Sequence, residues 1–158
     1  SLAYWTASAE VQGTGTITGG QLALTPTGPE GCDPWTLDTA EGGDGTFNPA
    51  TMKIVPGDVV STSCEFTITA EGEHLRAAFA VSTPSFAAGS ATALVNAIEA
   101  DVEATIGGAV VSEITEAHDG QTVAVDVTLT FLDTADNATQ NLAAELENIA
   151  VTLQQVHN

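Results

Sequence analysis

Hydrophobic and polar residues alternate strictly from the first residue. In Ser1 to Val11, SLAYWTASAEV, one face carries Ala3, Trp5, Ala7, Ala9 and Val11, and the other Leu2, Tyr4, Thr6, Ser8 and Glu10. A period of two over this length predicts a β-strand with one wholly apolar face. Termini are ordinarily the least ordered part of a domain. A Trp-bearing strand at this end therefore needs a burial place, either in its own sheet or in a groove of a neighbouring copy.

The same reading continues along the chain. Gly13-Thr-Gly15 marks a turn, and Thr16 to Thr25 predicts a second strand, with Gly19-Gly20 inside it as a bulge or a close backbone approach. Residues 26–50, rich in Pro, Gly, Asp and Thr, form a surface excursion anchored by Trp35 and Phe47. Pro56-Gly57-Asp58 is a turn with Pro and Gly at its central positions. Val59 to Glu71 follows as a strand with Val60, Thr62, Cys64, Phe66, Ile68 and Ala70 on one face. Leu75 to Thr83 is its expected partner, with Leu75, Ala77, Phe79 and Val81 alternating.

Ser90 to Thr105 switches to a helical period, with Ser90 as N-cap and Leu94, Val95, Ile98 and Val102 as the apolar stripe. Strands are predicted again at Ala109 to Thr115 and at Thr122 to Leu132, where Val123, Val125, Val127, Leu129 and Phe131 alternate with polar partners. Asp136 to Ile149 reads as a short helix, with Leu142 and Leu146 one turn apart, and Ile149 to Val156 as a closing strand. No tandem repeat or linker interrupts this pattern. The reading is a strand at 1–12 followed by a single domain at 13–158, an all-β sandwich with one or two short helices in crossover connections.

Composition narrows the partners. Lys53 and Arg76 are the only basic residues against 21 acids, a formal net charge of −19 in 158 residues. Electrostatics then opposes nucleic acid and anionic membrane surfaces. Assembly must be driven by something other than charge, and should tolerate or prefer salt or divalent cations. With 43% hydrophobic residues and scattered acids the chain lacks the profile of disorder, and no run is apolar enough to span a membrane. The chain opens at Ser1, without Met, and is read as a mature form freed of its signal. Its two cysteines, Cys32 and Cys64, match no zinc spacing. In an exported chain they read as a disulfide in preference to two free buried thiols.

Three stretches carry a resemblance. LAYWTASAEVQGTGTITGGQLALT at the start, Lys-Ile-Val-Pro-Gly-Asp at 53–58, and Asn-Leu-x(6)-Ile-x-Val-Thr-Leu-x-Gln at 141–154 are similar to the TasA/camelysin family of secreted fibre-forming proteins, exported with an alternate type of signal peptide. The resemblance implies a jelly-roll or immunoglobulin-like antiparallel sandwich, secretion, and homopolymeric fibres of the biofilm matrix or cell surface. In such fibres the N-terminal strand of one subunit inserts into the sheet of the next. Leu2, Ala3, Tyr4, Trp5, Ala7, Ala9 and Val11 would then form the donor strand. The region from Cys32 to Phe47 departs from the matrix-fibre members.

Camelysin-type members are regarded as metal-dependent proteases, so the resemblance also raises a metal-dependent active site. There is no His-Glu-x-x-His; Glu73-His74 stands alone, and His118 and His157 lie far off. No Gly-x-Ser-x-Gly elbow occurs. Asp38, Glu41 and Asp44 lack the ligand spacing of an EF-hand and read as a solvated acidic turn. The glycines from Gly13 to Gly20 precede neither a helix nor a lysine and do not form a phosphate cradle. Lys53 raises an isopeptide crosslink of the pilin type against an ordinary exposed strand-end lysine. Asn137-Ala-Thr139 fits a glycosylation acceptor, and Tyr4 with Trp5 a carbohydrate-stacking platform. The sequence thus predicts a non-enzymatic extracellular filament subunit, without cofactor or metal, polymerising by strand donation, with any anchoring or capping protein unspecified. A secreted metalloprotease and a monomeric carbohydrate- or partner-binding sandwich are the alternatives.

Overall fold

A computed structural model describes residues 17–27, 31–40, 42–48, 51–146 and 149–156. Its longest element is β3 (Val59–Glu71), whose Val/Thr/Phe/Ile composition suits a half-buried pleated strand. Val60, Ile68 and Ala70 are buried, and Cys64 and Phe66 pack against the core on the same face, as the period of two requires.

Both edges of β3 are occupied. On one side β1 (Gln21–Pro26) pairs antiparallel from Gln21 opposite Glu71 to Pro26 opposite Phe66. Cys32 then bridges to Cys64, and β2 (Thr36–Leu37) covers Ser61 and Val60. On the other side β8 (Thr122–Phe131) pairs from Val59 to Thr67. Beyond β8 lie β5 (Ile98–Ile106) and the two-residue β6 (Ala109–Val110). This six-stranded sheet faces a three-stranded one with the order β7 (Glu113–Thr115), β4 (Arg76–Val81), β9 (Val151–Gln155). One buried cluster joins the two, with Ile68, Ala70, Ala104, Val123 and Val125 from the large sheet and Ala77, Phe79 and Ile114 from the small. The fold is an all-β antiparallel sandwich. A satellite cluster of Leu94, Ala97 and Phe131 closes one end.

Two glycines decide local geometry. At Gly57 φ is +99°, and Asp58 N–H donates to Val55 C=O at 3.0 Å, the geometry of a turn with Pro56 and Gly57 at its centre. A Cβ on Gly20 would run into the Glu71 carbonyl oxygen. That is the close approach expected of the Gly19-Gly20 pair, located at the second glycine.

Several expectations are corrected. Leu75 to Thr83 alternates as expected but does not pair with β3. The turn at residues 72–75, with Gly72 at φ +143° and His74 at +60°, carries β4 into the opposite sheet. The helix expected over Ser90 to Thr105 shrinks to α1 (Thr92–Val95), and residues 98–106 form β5. Ile98 and Val102 are four apart, a spacing that satisfies a helix and a strand alike. Glu99, Asp101 and Glu103 between them supply the alternation that decides it. Ser90 is no N-cap: Ala91 holds that position, and Ser90 Oγ accepts from Glu145 N–H at 3.0 Å.

Ala109 to Thr115 is two strands in different sheets, because the chain crosses between them at Val111 and Ser112. The helix expected over Asp136 to Ile149 is one 3-10 turn at Asn137–Thr139, capped by Asp136. After it the chain runs beside residues 86–91, with Ala91 N–H donating to Ala143 C=O and Ala87 N–H to Glu145 C=O. Residues 26–50, expected as a surface excursion, supply β2. They also fold back on themselves: Leu37 N–H donates to Gly45 C=O and Phe47 N–H to Trp35 C=O.

On the outer face of the large sheet Glu103 stands directly opposite Asp126, and both are exposed. Like charges in register destabilise an antiparallel pair by roughly 0.2–1 kcal/mol. Asp126→Asn is therefore expected to raise stability by about that amount in denaturant titrations at low salt. The gain should shrink in 1 M salt, where the Debye length falls to about 3 Å.

Candidate functional site

Among the described residues, the two sheets are joined along one side of the sandwich only. On the side of β5 the two sheets are joined by consecutive residues: Val111 N–H donates to Ala104 C=O of β5, and Phe79 N–H of β4 donates to Ser112 C=O. Among the described residues no such strap joins β1 to β9, and the ladders between described strands pair β1 with β3 and β9 with β4. The side chains they send towards the core, Leu22 and Leu24 from β1 and Val151 and Leu153 from β9, pack on the main cluster yet stay only half-buried. Apolar contacts and backbone groups thus lie together at this margin of the described sheets.

The ladders fix which backbone groups point outward. Ser82 N–H donates to Ala150 C=O, and Val156 N–H to Arg76 C=O. In this antiparallel register the intervening Val151 and Leu153 turn their N–H and C=O away from β4. In β1, Thr27 N–H donates to Glu65 C=O, so Leu22, Leu24 and Pro26 are the outward-turned residues, and Pro26 has no N–H to offer.

The residues expected to form the donor strand, Leu2, Ala3, Tyr4, Trp5, Ala7, Ala9 and Val11, lie outside the described residues, as do Glu41 and His157. Cys32 and Cys64 are joined in a disulfide. Asp33 N–H donates to Ser63 C=O at 2.8 Å and Glu65 N–H to Gly31 C=O at 2.8 Å, so the bond fastens a short extra strand to the middle of β3.

The remaining candidate chemistry is spent on local structure. Asp38 accepts from Val59 N–H at 2.8 Å and from Ala40 N–H at 3.3 Å. Asp44 accepts from Thr46 N–H at 2.9 Å, and hydrogen bonds from Thr46 hold its carboxyl below its ordinary value of 3.8. His118 Nδ1 accepts from Thr115 N–H at 2.9 Å in a capping box over the 3-10 turn Glu116–His118. His74 lies in the β3–β4 turn. No group of three His, Cys, Asp or Glu side chains among the described residues is placed to hold a metal ion. A shallow depression of about 380 Å³ beside His118, lined by Ile106, Val110, Val111, Glu113 and Gln121, lies on the closed side of the sandwich. Lys53 Nζ donates to Asn141 Oδ1 at 3.3 Å, a bond between exposed side chains that ties the segment before β3 to the chain after the Asn137 turn. No helix among the described residues is long and apolar enough to cross a membrane.

Comparison with known protein families, with curated proteins and with solved structures returns no match.

The disulfide closes a loop between positions separated by 32 residues, for which the chain-entropy estimate is about 3–4 kcal/mol. Reduction is expected to lower the thermal midpoint while far-ultraviolet circular dichroism keeps its strand signal below that midpoint. Asp44 gives a second expectation. Its folded value is lowered, so its stabilisation of the turn is complete above the ordinary value of 3.8 and is lost as the pH falls through the lowered one. Exchange protection of the Thr46 amide should fall in that acid window, and Asp44→Ala should abolish the pH dependence.

Proposed function

We propose that this protein is a secreted structural subunit of an extracellular filament, and that it polymerises by donating its N-terminal strand to the sheet of the next copy. The observation that supports the reading is the margin between β1 and β9, where no strap joins the two sheets among the described residues and half-buried core residues stand beside outward-turned backbone groups. Ser1 to Val11 has the complementary pattern, one apolar face and a backbone ready to complete a ladder. Burying Trp5, Val11 and three alanines removes ~300–400 Å² of apolar surface from water, worth ~7–12 kcal/mol gross. Ordering the strand and losing translational freedom offset much of it.

The disulfide and the absence of a spanning helix among the described residues are compatible with secretion. The similarity of the three quoted stretches to the TasA/camelysin family supports matrix or surface fibres as the setting. In this reading the protein is not an enzyme, its partners are copies of itself, and it engages neither nucleic acid nor membrane.

Deleting Ser1 to Glu10 is expected to leave a soluble monomer and to abolish filaments in negative-stain images. Trp5→Asp should act in the same direction, because a carboxylate in an apolar groove costs several kcal/mol. A Ser1–Val11 peptide should cap growth by filling the groove without bringing another acceptor edge. Filaments of unchanged width from the deleted protein would refute donation from this end. A full-length protein that stays monomeric across salt and calcium conditions would favour a binding module instead.

A further inference from the structure

We propose that the Cys32–Cys64 disulfide is an exchangeable bond, opened in the folded protein by a small uncharged or cationic thiol that becomes attached to Cys32. This modification site is independent of the filament reading.

The two halves of the bond differ in access. Cys64 sits in the middle of β3 and packs half-buried against the main core cluster. Cys32 is exposed. Exposed disulfides are the exchange-prone class, because an attacking thiolate has to reach one of the two sulfurs. The backbone around the bond is also thinly held. Asp33 N–H donates to Ser63 C=O and Glu65 N–H to Gly31 C=O, both at 2.8 Å. These bonds flank the cysteines, which face each other without a ladder bond of their own. Thr62 Oγ1 donates to Asp33 C=O at 2.6 Å. Opening the S–S bond therefore breaks no backbone hydrogen bond between the two cysteines, and it leaves residues 31–33 on a few short tethers.

The exchange balances without a separate oxidant or reductant. The thiolate sulfur of the incoming molecule bonds to Cys32 Sγ. The Sγ–Sγ bond breaks, and its electron pair leaves on Cys64 Sγ, which takes a proton from solvent. One disulfide is replaced by another. The mixed disulfide stands on the exposed residue, and Cys64 is left as a thiol against the core, where a cysteine behaves as a small apolar side chain.

Charge selects the thiol. Asp33 and Glu65 adjoin the two cysteines and are exposed, in a chain of formal net charge −19. The two basic residues are placed elsewhere: Lys53 Nζ donates to Asn141, and Arg76 opens β4 in the small sheet. A thiol with an anionic tail meets this field with two negative charges, whereas an ammonium group offsets the charge of the thiolate. Fields of one sign change encounter rates by about 10–10³.

The test uses the full-length folded chain and two small thiols, 2-aminoethanethiol and 2-mercaptoethanesulfonate, without denaturant. Early samples are quenched in acid, capped with a maleimide and digested with trypsin without reduction. Lys53 lies between the cysteines and Arg76 beyond them, so Cys32 and Cys64 fall on separate peptides. The thiol adduct is expected on the Cys32 peptide and the maleimide on the Cys64 peptide, in about tenfold excess over the reverse. The rate should rise in proportion to thiol concentration. At 10 mM ionic strength, where the Debye length is about 30 Å, aminoethanethiol should react at least about tenfold faster per thiolate. The two rates should converge in 1 M salt, where that length is about 3 Å. Adducts chiefly on Cys64 would overturn Cys32 as the site. A rate independent of thiol concentration, or reaction only after denaturation, would overturn exchange in the folded state. Equal rates for the two thiols at low salt would overturn the selection by charge.

Discussion

The architecture depends on β3 being paired along both edges for most of its length. One thirteen-residue strand receives β1, the Cys32 bridge and β2 on one side and β8 on the other. The remaining elements take their places from those two neighbours. β5 pairs with β8 and β6 with β5. The loop that feeds β8 is pinned to β3 by Asp119 Oδ1, which accepts from Ala70 N–H at 2.9 Å, and by Gly120 N–H donating to Ile68 C=O at 2.8 Å. β4 leaves the end of β3 through a turn that changes sheets. An apolar ladder of this length buries its backbone hydrogen bonds and one side-chain face together.

Much of this was legible in the pattern of residues. The strands β3, β4, β8 and β9 and the inward faces of β3, β4 and β8 follow from their period of two. The turn at Pro56-Gly57 follows from the φ that each of those residues permits. Three signals misled, each for an identifiable reason. Pairs four apart, Ile98 with Val102 and Leu142 with Leu146, fit both periods, and only the intervening acids mark the first as strand. A two-residue strand such as β6 has no period, so the crossing at Val111 and Ser112 was invisible. Which sheet β4 joins is a tertiary outcome that alternation cannot encode.

The candidate site was legible only in half. Cys64 turns inward and pairs with Cys32, as its place on the apolar face of β3 and the cysteine count suggested. The alternation of Ser1 to Val11 is evident in the sequence. Which strands lie at the margins of the described sheets is not written in any local pattern and becomes visible only in the topology. The acids elsewhere follow one logic. Asp38, Asp44, Asp119 and Asp136 spend their oxygens on backbone N–H groups, whereas Glu99, Asp101 and Glu103 stand along an outer strand. Part of the negative charge here therefore serves local capping.

The position of the disulfide has a mechanical corollary. Tension applied to the N-terminal segment can peel β1 from β3 only as far as Cys32. There the covalent bond passes the load directly to Cys64, in the middle of the best-anchored strand. Residues 33–63, including β2 and the acidic turn, fall outside the force path, and the chain released before the bond bears load is limited to what precedes Cys32. Under strain the molecule would lengthen by a bounded amount and then stiffen, with its central ladder still intact.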